Sequence, residues 1–114
     1  MMDIYTKLVY SGDDVYYKDD FRQVVEDHIY VIRNDRKYTV ESIEPMRAYK
    51  YAHDFYGLLQ ELKVPMQYHW ASLRLNGLTS PEDYDGHNTT IMVVDPDVIE
   101  QLLATHEAQL EMRN

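Results

Sequence analysis

The residues of this chain best suited to moving protons near neutral pH are five histidines, His28, His53, His69, His87 and His106. None stands in an HExxH or HxH arrangement, so no metal-binding histidine motif is present. His53 with Asp54, and His87 with Asp85, come nearest to acid–base pairs. A histidine next to a carboxylate is common on a polar surface, so neither pair is read as catalytic. Asp13, Asp14, Asp19 and Asp20 flank two tyrosines. A calcium loop needs ligands at fixed spacing and a closing Glu, a pattern that is not met, and the cluster reads as a solvated turn. The absence of cysteine excludes disulfides, thiolate nucleophiles and Cys-ligated zinc or iron–sulfur sites. The four glycines stand far apart, which leaves no phosphate-cradling loop, and no serine lies in a GxSxG elbow. The chain is therefore expected not to be an enzyme, with no metal and no cofactor.

What remains is surface chemistry. Twenty acidic residues oppose eleven basic ones, a formal charge of −9 spread along the 114 residues. Such a surface repels nucleic-acid phosphates and anionic membranes. It serves solubility, or it imitates nucleic acid, as an acidic inhibitor would. Eleven tyrosines accompany only two phenylalanines and one tryptophan. A ring with a polar tip suits half-wet protein interfaces and sugar stacking. Tyr5, Tyr10, Tyr16 and Tyr17 are interface candidates, as are Trp70 and the C-terminal Leu103 and Leu110. The N-terminus lacks a basic region followed by an apolar run, and no apolar stretch approaches the ~20 residues of a membrane span. A soluble protein with no membrane partner is expected.

The length fits one domain. Residues 3–10 alternate in character, with Ile4, Thr6, Leu8 and Tyr10 on one side, and read as a strand. Asp19 and Asp20 cap a short helix over 21–28, with Phe21, Val24 and Val25 toward the core. Residues 28–43 read as a β-hairpin, HIYVIR and KYTVESI, turning at Asn34-Asp35. A helix follows over 46–64, with Ala48, Ala52, Phe55, Leu59 and Leu62 on one stripe and Gly57 as its weak point. A second short helix fits 67–75 and stops at Asn76-Gly77. A loop over 79–88, a strand over 89–94 and a helix begun by Asp95-Pro96 complete the chain. That last helix carries the stripe Val98, Ile99, Leu102, Leu103, His106 and Leu110. The fold class is α+β, with helices packed on a small sheet that the strands at 28–33 and 3–10 extend.

The central segment carries a resemblance. Tyr38-Thr39-Val40 stands as a "Y-x-V" strand, and Asp54, Tyr56, Leu58 and Leu59 follow as an acidic residue leading a hydrophobic run. Asn76, Leu78, Pro81, Gly86, Ile91, Val93 and Pro96 then come in order. Residues 38–96 thus resemble a LysM-like module, a βααβ fold, with His53 where the family usually has Gly. The runs AYKY at 48–51 and YHWASLRLNG at 68–77 are similar to the variant in baseplate wedge proteins of contractile-tailed phages. The resemblance implies a LysM-like βααβ core at 38–96, an N-terminal β extension at 1–37 and a C-terminal helix at 97–114. It also implies two functions. The phage versions are structural virion proteins of the tail or baseplate, made in the host cytoplasm and assembled with other tail subunits in many copies. LysM modules otherwise bind N-acetylglucosamine-containing glycans, peptidoglycan or chitin, in a groove between two loops, here 44–54 and 78–90. His53, Asp54, Pro81 and Tyr84 are the groove candidates on that alternative.

Overall fold

The structure, a computed structural model, describes residues 13–113. The strand expected at 3–10, with Tyr5 and Tyr10, lies outside the described residues. A 3-10 turn at Asp13–Tyr17 leads into helix α1, Asp19–Asn34. Strand β1, Tyr38–Ser42, follows, and then helices α2, Pro45–Lys50, and α3, Phe55–Glu61. A 3-10 turn at Met66–Tyr68 opens α4, His69–Leu75. Another at Pro81–Asp83 precedes strand β2, Thr90–Val94, and helix α5 runs Pro96–Arg113. The two strands pair antiparallel, from Tyr38 opposite Val94 to Ser42 opposite Thr90. The fold is α+β, as expected. None of the described helices is long and apolar enough to cross a membrane.

The hairpin expected at 28–43 is not formed. Residues 28–34 complete α1, which runs for 16 residues. Phe21, Val25, Ile29 and Ile32 recur at helical spacing and bury one stripe, while Tyr30 and Val31 stay exposed. Burial of that stripe outweighs the β preference of HIYVIR. The Asn34-Asp35 turn signal marks a helix end instead. The Lys37 amide donates to Ile32 O and the Arg36 amide to Arg33 O, with Arg36 at φ 55. This is a Schellman closure with Arg in the left-handed position. Residues 13–34 are accordingly helical, so over them the N-terminal extension is not β. Among the described residues the sheet has two strands, and neither 28–33 nor any other segment extends it.

The helix expected over 46–64 is two helices. The break falls at 51–54 rather than at Gly57, because Asp54 caps α3 by accepting from the Gly57 amide at 3.0 Å. Three helices therefore separate the strands, where two were expected. The expected helix at 67–75, its stop at Asn76-Gly77 and the strand near 89–94 lie where the sequence places them. The last helix begins on Asp95, whose carboxylate accepts from the Asp97 amide at 3.0 Å.

Successive residues of β2 point to opposite faces, and both faces are covered. Ile91 joins Ile43, Ala48, Phe55, Leu58, Leu59, Leu73 and Tyr84 in one core. Val94 joins Phe21, Val25, Ile29, Ile32, Tyr68, Ala71, Leu75, Ile99 and Leu103 in the other. Strand β2 and α4 thus feed both cores. Among the described residues the outer edge of β2 has no third strand; α4 closes it with side chains. Asn76 accepts from the Met92 amide at 2.9 Å and donates to Met92 O and Ser72 O, both at 2.7 Å. Ser72, fully buried, accepts from the Val94 amide at 3.1 Å. Arg74 ties α4 to α1 through two bonds to Glu26, at 2.8 and 3.0 Å.

Asn76→Ala removes both bonds to Met92 and strands its amide and carbonyl. It should destabilise the chain by about 2–4 kcal/mol, measured by urea denaturation. Acid should weaken the fold in two steps. Burial, opposed in part by the bond to Val64 O, pulls the His69 imidazole below its ordinary 6.5. The stability this contributes is complete above the unfolded value and is lost as pH falls from there through the lower folded value. The bond from Arg74 holds Glu26 below its ordinary 4.5, so its contribution is lost in a second, more acidic range. Urea midpoints should therefore fall between pH 7.5 and 5.5, and less steeply in His69→Gln.

Candidate docking surface

The rings of His28, His53 and His69 each bond a backbone carbonyl, and His106 is buried. His69 is buried and its Nε2 donates to Val64 O at 2.7 Å. His28 bonds Val24 O at 2.7 Å, and buried His106 stands 3.3 Å from Asp20. Asp85 accepts from the His87 and Asn88 amides, at 2.7 and 3.2 Å, and these bonds, His87's first, hold its carboxyl below the usual range. Among the described residues, no three His, Asp or Glu side chains gather as a metal site requires.

The four groove candidates do come together, but as a packed joint. The His53 amide donates to Tyr84 O at 2.7 Å, and its ring bonds Glu82 O at 3.0 Å. Asp54 is the cap of α3, and Pro81 opens the 3-10 turn before Tyr84. The Tyr84 ring is 2% exposed, 5.4 Å from Phe55, and its hydroxyl donates to Asn88 O at 2.6 Å. It offers no face to a sugar. Beside it lies a cavity of about 110 Å³ between Phe55, Asn76, Leu78 and Asn88. Ligand pockets run from roughly 300 Å³ upward.

The interface candidates separate. Tyr16 donates to Glu100, at 2.8 Å to Oε2, and stands edge-on to Tyr68, 6.3 Å between centroids. Tyr68 donates to the same carboxylate at 2.6 Å, and burial, followed by that bond, pushes its phenol up to about 12. Tyr16 therefore anchors the first 3-10 turn. Tyr17 is exposed. Trp70 is half-buried, with the Arg22 guanidinium 5.2 Å above its ring. Leu103 lies in the core and Leu110 is half-buried toward the helix end.

A larger surface was not singled out by sequence. A groove of about 610 Å³ opens where the Tyr38–Val94 end of the sheet meets the loop 62–65. Leu62, Val64, Pro65, Tyr68 and Val93 supply its apolar wall. Arg36, Lys37 and Lys63 face Asp35, Glu41 and Asp95 around it. Lys63 repeats the closure of Arg36: at φ 66, it follows α3 while the Val64 amide returns to Leu59 O. Both cations thus stand at helix C-termini, where the dipole favours them.

The groove adjoins an open sheet edge. The Ile43 amide donates to Thr89 O at 2.7 Å and the Asp95 amide to Lys37 O at 3.0 Å. With the register, these bonds direct the odd-numbered residues of β1 toward β2. Tyr38, Val40 and Ser42 then turn their amides and carbonyls outward. Thr39, Val40, Glu41 and Ser42 are all exposed, Val40 by 54%. The sequence signal was a strand with a single central apolar residue and flanking charges, the pattern of a tolerated edge.

No protein-family model matches the chain, and no curated protein or solved structure matches it.

The joint at His53 yields a contrast. A Cβ on Gly86 would meet Ala52 Cβ at 2.7 Å, and Gly86 sits at φ 82. Gly86→Ala should cost about 1–3 kcal/mol. His53 holds φ 65, so His53→Gly relieves left-handed strain but loses stiffness and the exposed ring bond to Glu82 O, and should leave the melting point nearly unchanged. Thermal melts of the two variants check both.

Proposed function

We propose that this chain works by docking to other protein chains, as a structural subunit of a phage tail or baseplate. The observation that carries the reading is the open β1 edge beside a groove of mixed charge and apolar wall. Exposed strand edges take further strands by backbone hydrogen bonds, while neighbouring pockets select side chains. Three histidine rings bond backbone carbonyls, and Asp54, Asp85 and Asp95 accept from backbone amides at turns and helix starts, which favours binding over catalysis.

The LysM-like resemblance sets the context, and three local features support it. The strands before and after the helices pair with each other. His53 holds a left-handed backbone where the family usually has Gly. Asn76, the residue ahead of Leu78 in the motif, grips β2. On this reading the partners are other tail subunits, present in several copies, and the location is the virion. The glycan alternative requires the packed joint of His53 and Tyr84 to open. Mimicry of nucleic acid draws only on the overall charge.

Purified particles should contain the chain, and tagged chain should co-purify tail subunits. Absence from particles, together with no co-purifying subunit, contradicts the proposal. In the same series, millimolar chitin oligosaccharides should leave the amide signals of 53–54 and 81–86 unmoved; saturable shifts there would favour the glycan reading instead.

A further inference from the structure

We infer that the open edge of β1 pairs with the β1 edge of a second copy of this chain, antiparallel about a twofold axis at Val40, to make a four-stranded sheet. The inference deepens the docking reading by naming one partner, and it rests on that reading for its biological setting only.

The geometry admits few registers. Tyr38, Val40 and Ser42 present the outward amides and carbonyls, so only these can bond across the new seam. Opposing Val40 to Val40 aligns all five residues of both strands, with each Tyr38 opposite the other copy's Ser42. Two apolar Val40 side chains, each 54% exposed in the single chain, then meet at the axis. Continuous backbone pairing gives the edge amides the partners they lack among the described residues.

Charge selects the same register. Glu41 falls opposite Thr39 of the second copy, so no like charges oppose each other. Lys37 lies on the same side of the sheet as Glu41 and falls opposite Ile43 of the second copy. Its diagonal neighbour there is Glu41, within reach of a long side chain. Symmetry makes this contact twice. Neither Lys37 nor Glu41 has an ion pair among the described residues, and both are exposed. A chain of formal charge −9 repels its own copies, so the complementarity lies in the place where association needs it.

The seam is short. Five residues a side fall below the ~1,200 Å² of standard stable interfaces, so the pairing is reversible and concentration-dependent. An assembly that holds copies side by side raises their effective concentration and completes it.

Three variants test this in sedimentation equilibrium of the full chain up to about 1 mM. Val40→Pro removes an outward amide and leaves the β1–β2 ladder intact, a substitution that sheet edges accept. Glu41→Lys turns both diagonal contacts repulsive. The double swap Lys37→Glu with Glu41→Lys restores them with the signs exchanged. The wild type should rise from the 13.6 kDa monomer toward twice that mass. Val40→Pro and Glu41→Lys should raise the dissociation constant roughly tenfold or more, and the double swap should recover most of that loss. Unchanged far-UV circular dichroism shows that the variants fold; a misfolded Val40→Pro leaves the charge pair to decide.

A wild type that stays monomeric overturns the inference, and so does a dimer indifferent to the charge changes. If it stays monomeric while the Val40 amide resists exchange, the edge is already occupied within the single chain and the inference again fails. A monomer still found in particles leaves the docking function standing without this seam. A dimer absent from particles keeps the seam and removes the tail setting.

Discussion

The fold depends on how α4 grips the back of β2. A two-stranded sheet is marginal in water, and its strands carry unpaired groups on both outer edges. Here Asn76 meets the Met92 amide and carbonyl, and Ser72 meets the Val94 amide. Two side chains, one turn apart on a helix, stand in for a neighbouring strand. Because Ser72 is fully buried and Asn76 half-buried, these bonds lie where water competes poorly. They also fix the helix against the strand, so that Ala71 and Leu75 enter one core while Leu73 enters the other.

That grip makes the sheet asymmetric. One edge is closed by α4, whereas the other has no neighbouring strand among the described residues. The loops flanking the open edge are stiffened by helix closures that place Arg36 and Lys63 in left-handed backbone. Strand β1 is thus held in register by β2 and by the turns on both sides, with its outer groups free to pair. A pre-ordered edge loses little conformational entropy on docking, which suits a small subunit that must join a larger assembly.

Sequence made some of this legible. The strand at 38–42, the helix stop at Asn76-Gly77 and the Asp95-Pro96 start carry local signals that tertiary packing reinforces, and they lie where the residues indicate. The HIYVIR segment misleads because its β-branched and aromatic residues split between a buried helical stripe, Ile29 and Ile32, and an exposed face, Tyr30 and Val31. Only the position of α4 and α5 decides between the two periods. The 51–54 break was hidden because Ala52 keeps the helical spacing while the Asp54 side chain terminates it. Of the candidate residues, His53, Asp54, Pro81 and Tyr84 do converge, yet the burial of Tyr84 depends on Phe55, beyond the reach of motif spacing. The open edge is illegible for a different reason: it depends on which described segments pair with β1, and local residue patterns do not carry that.

Among the described residues, β2 is closed by side chains while β1 is open. Amide hydrogen exchange on dilute chain tests it residue by residue. Met92 and Val94 should be protected as strongly as the ladder amides of Thr39, Glu41, Ile91 and Val93, whereas Val40 and Ser42 exchange freely. Rapid exchange at Met92 and Val94, or strong protection at Val40 in the monomer, would contradict the account.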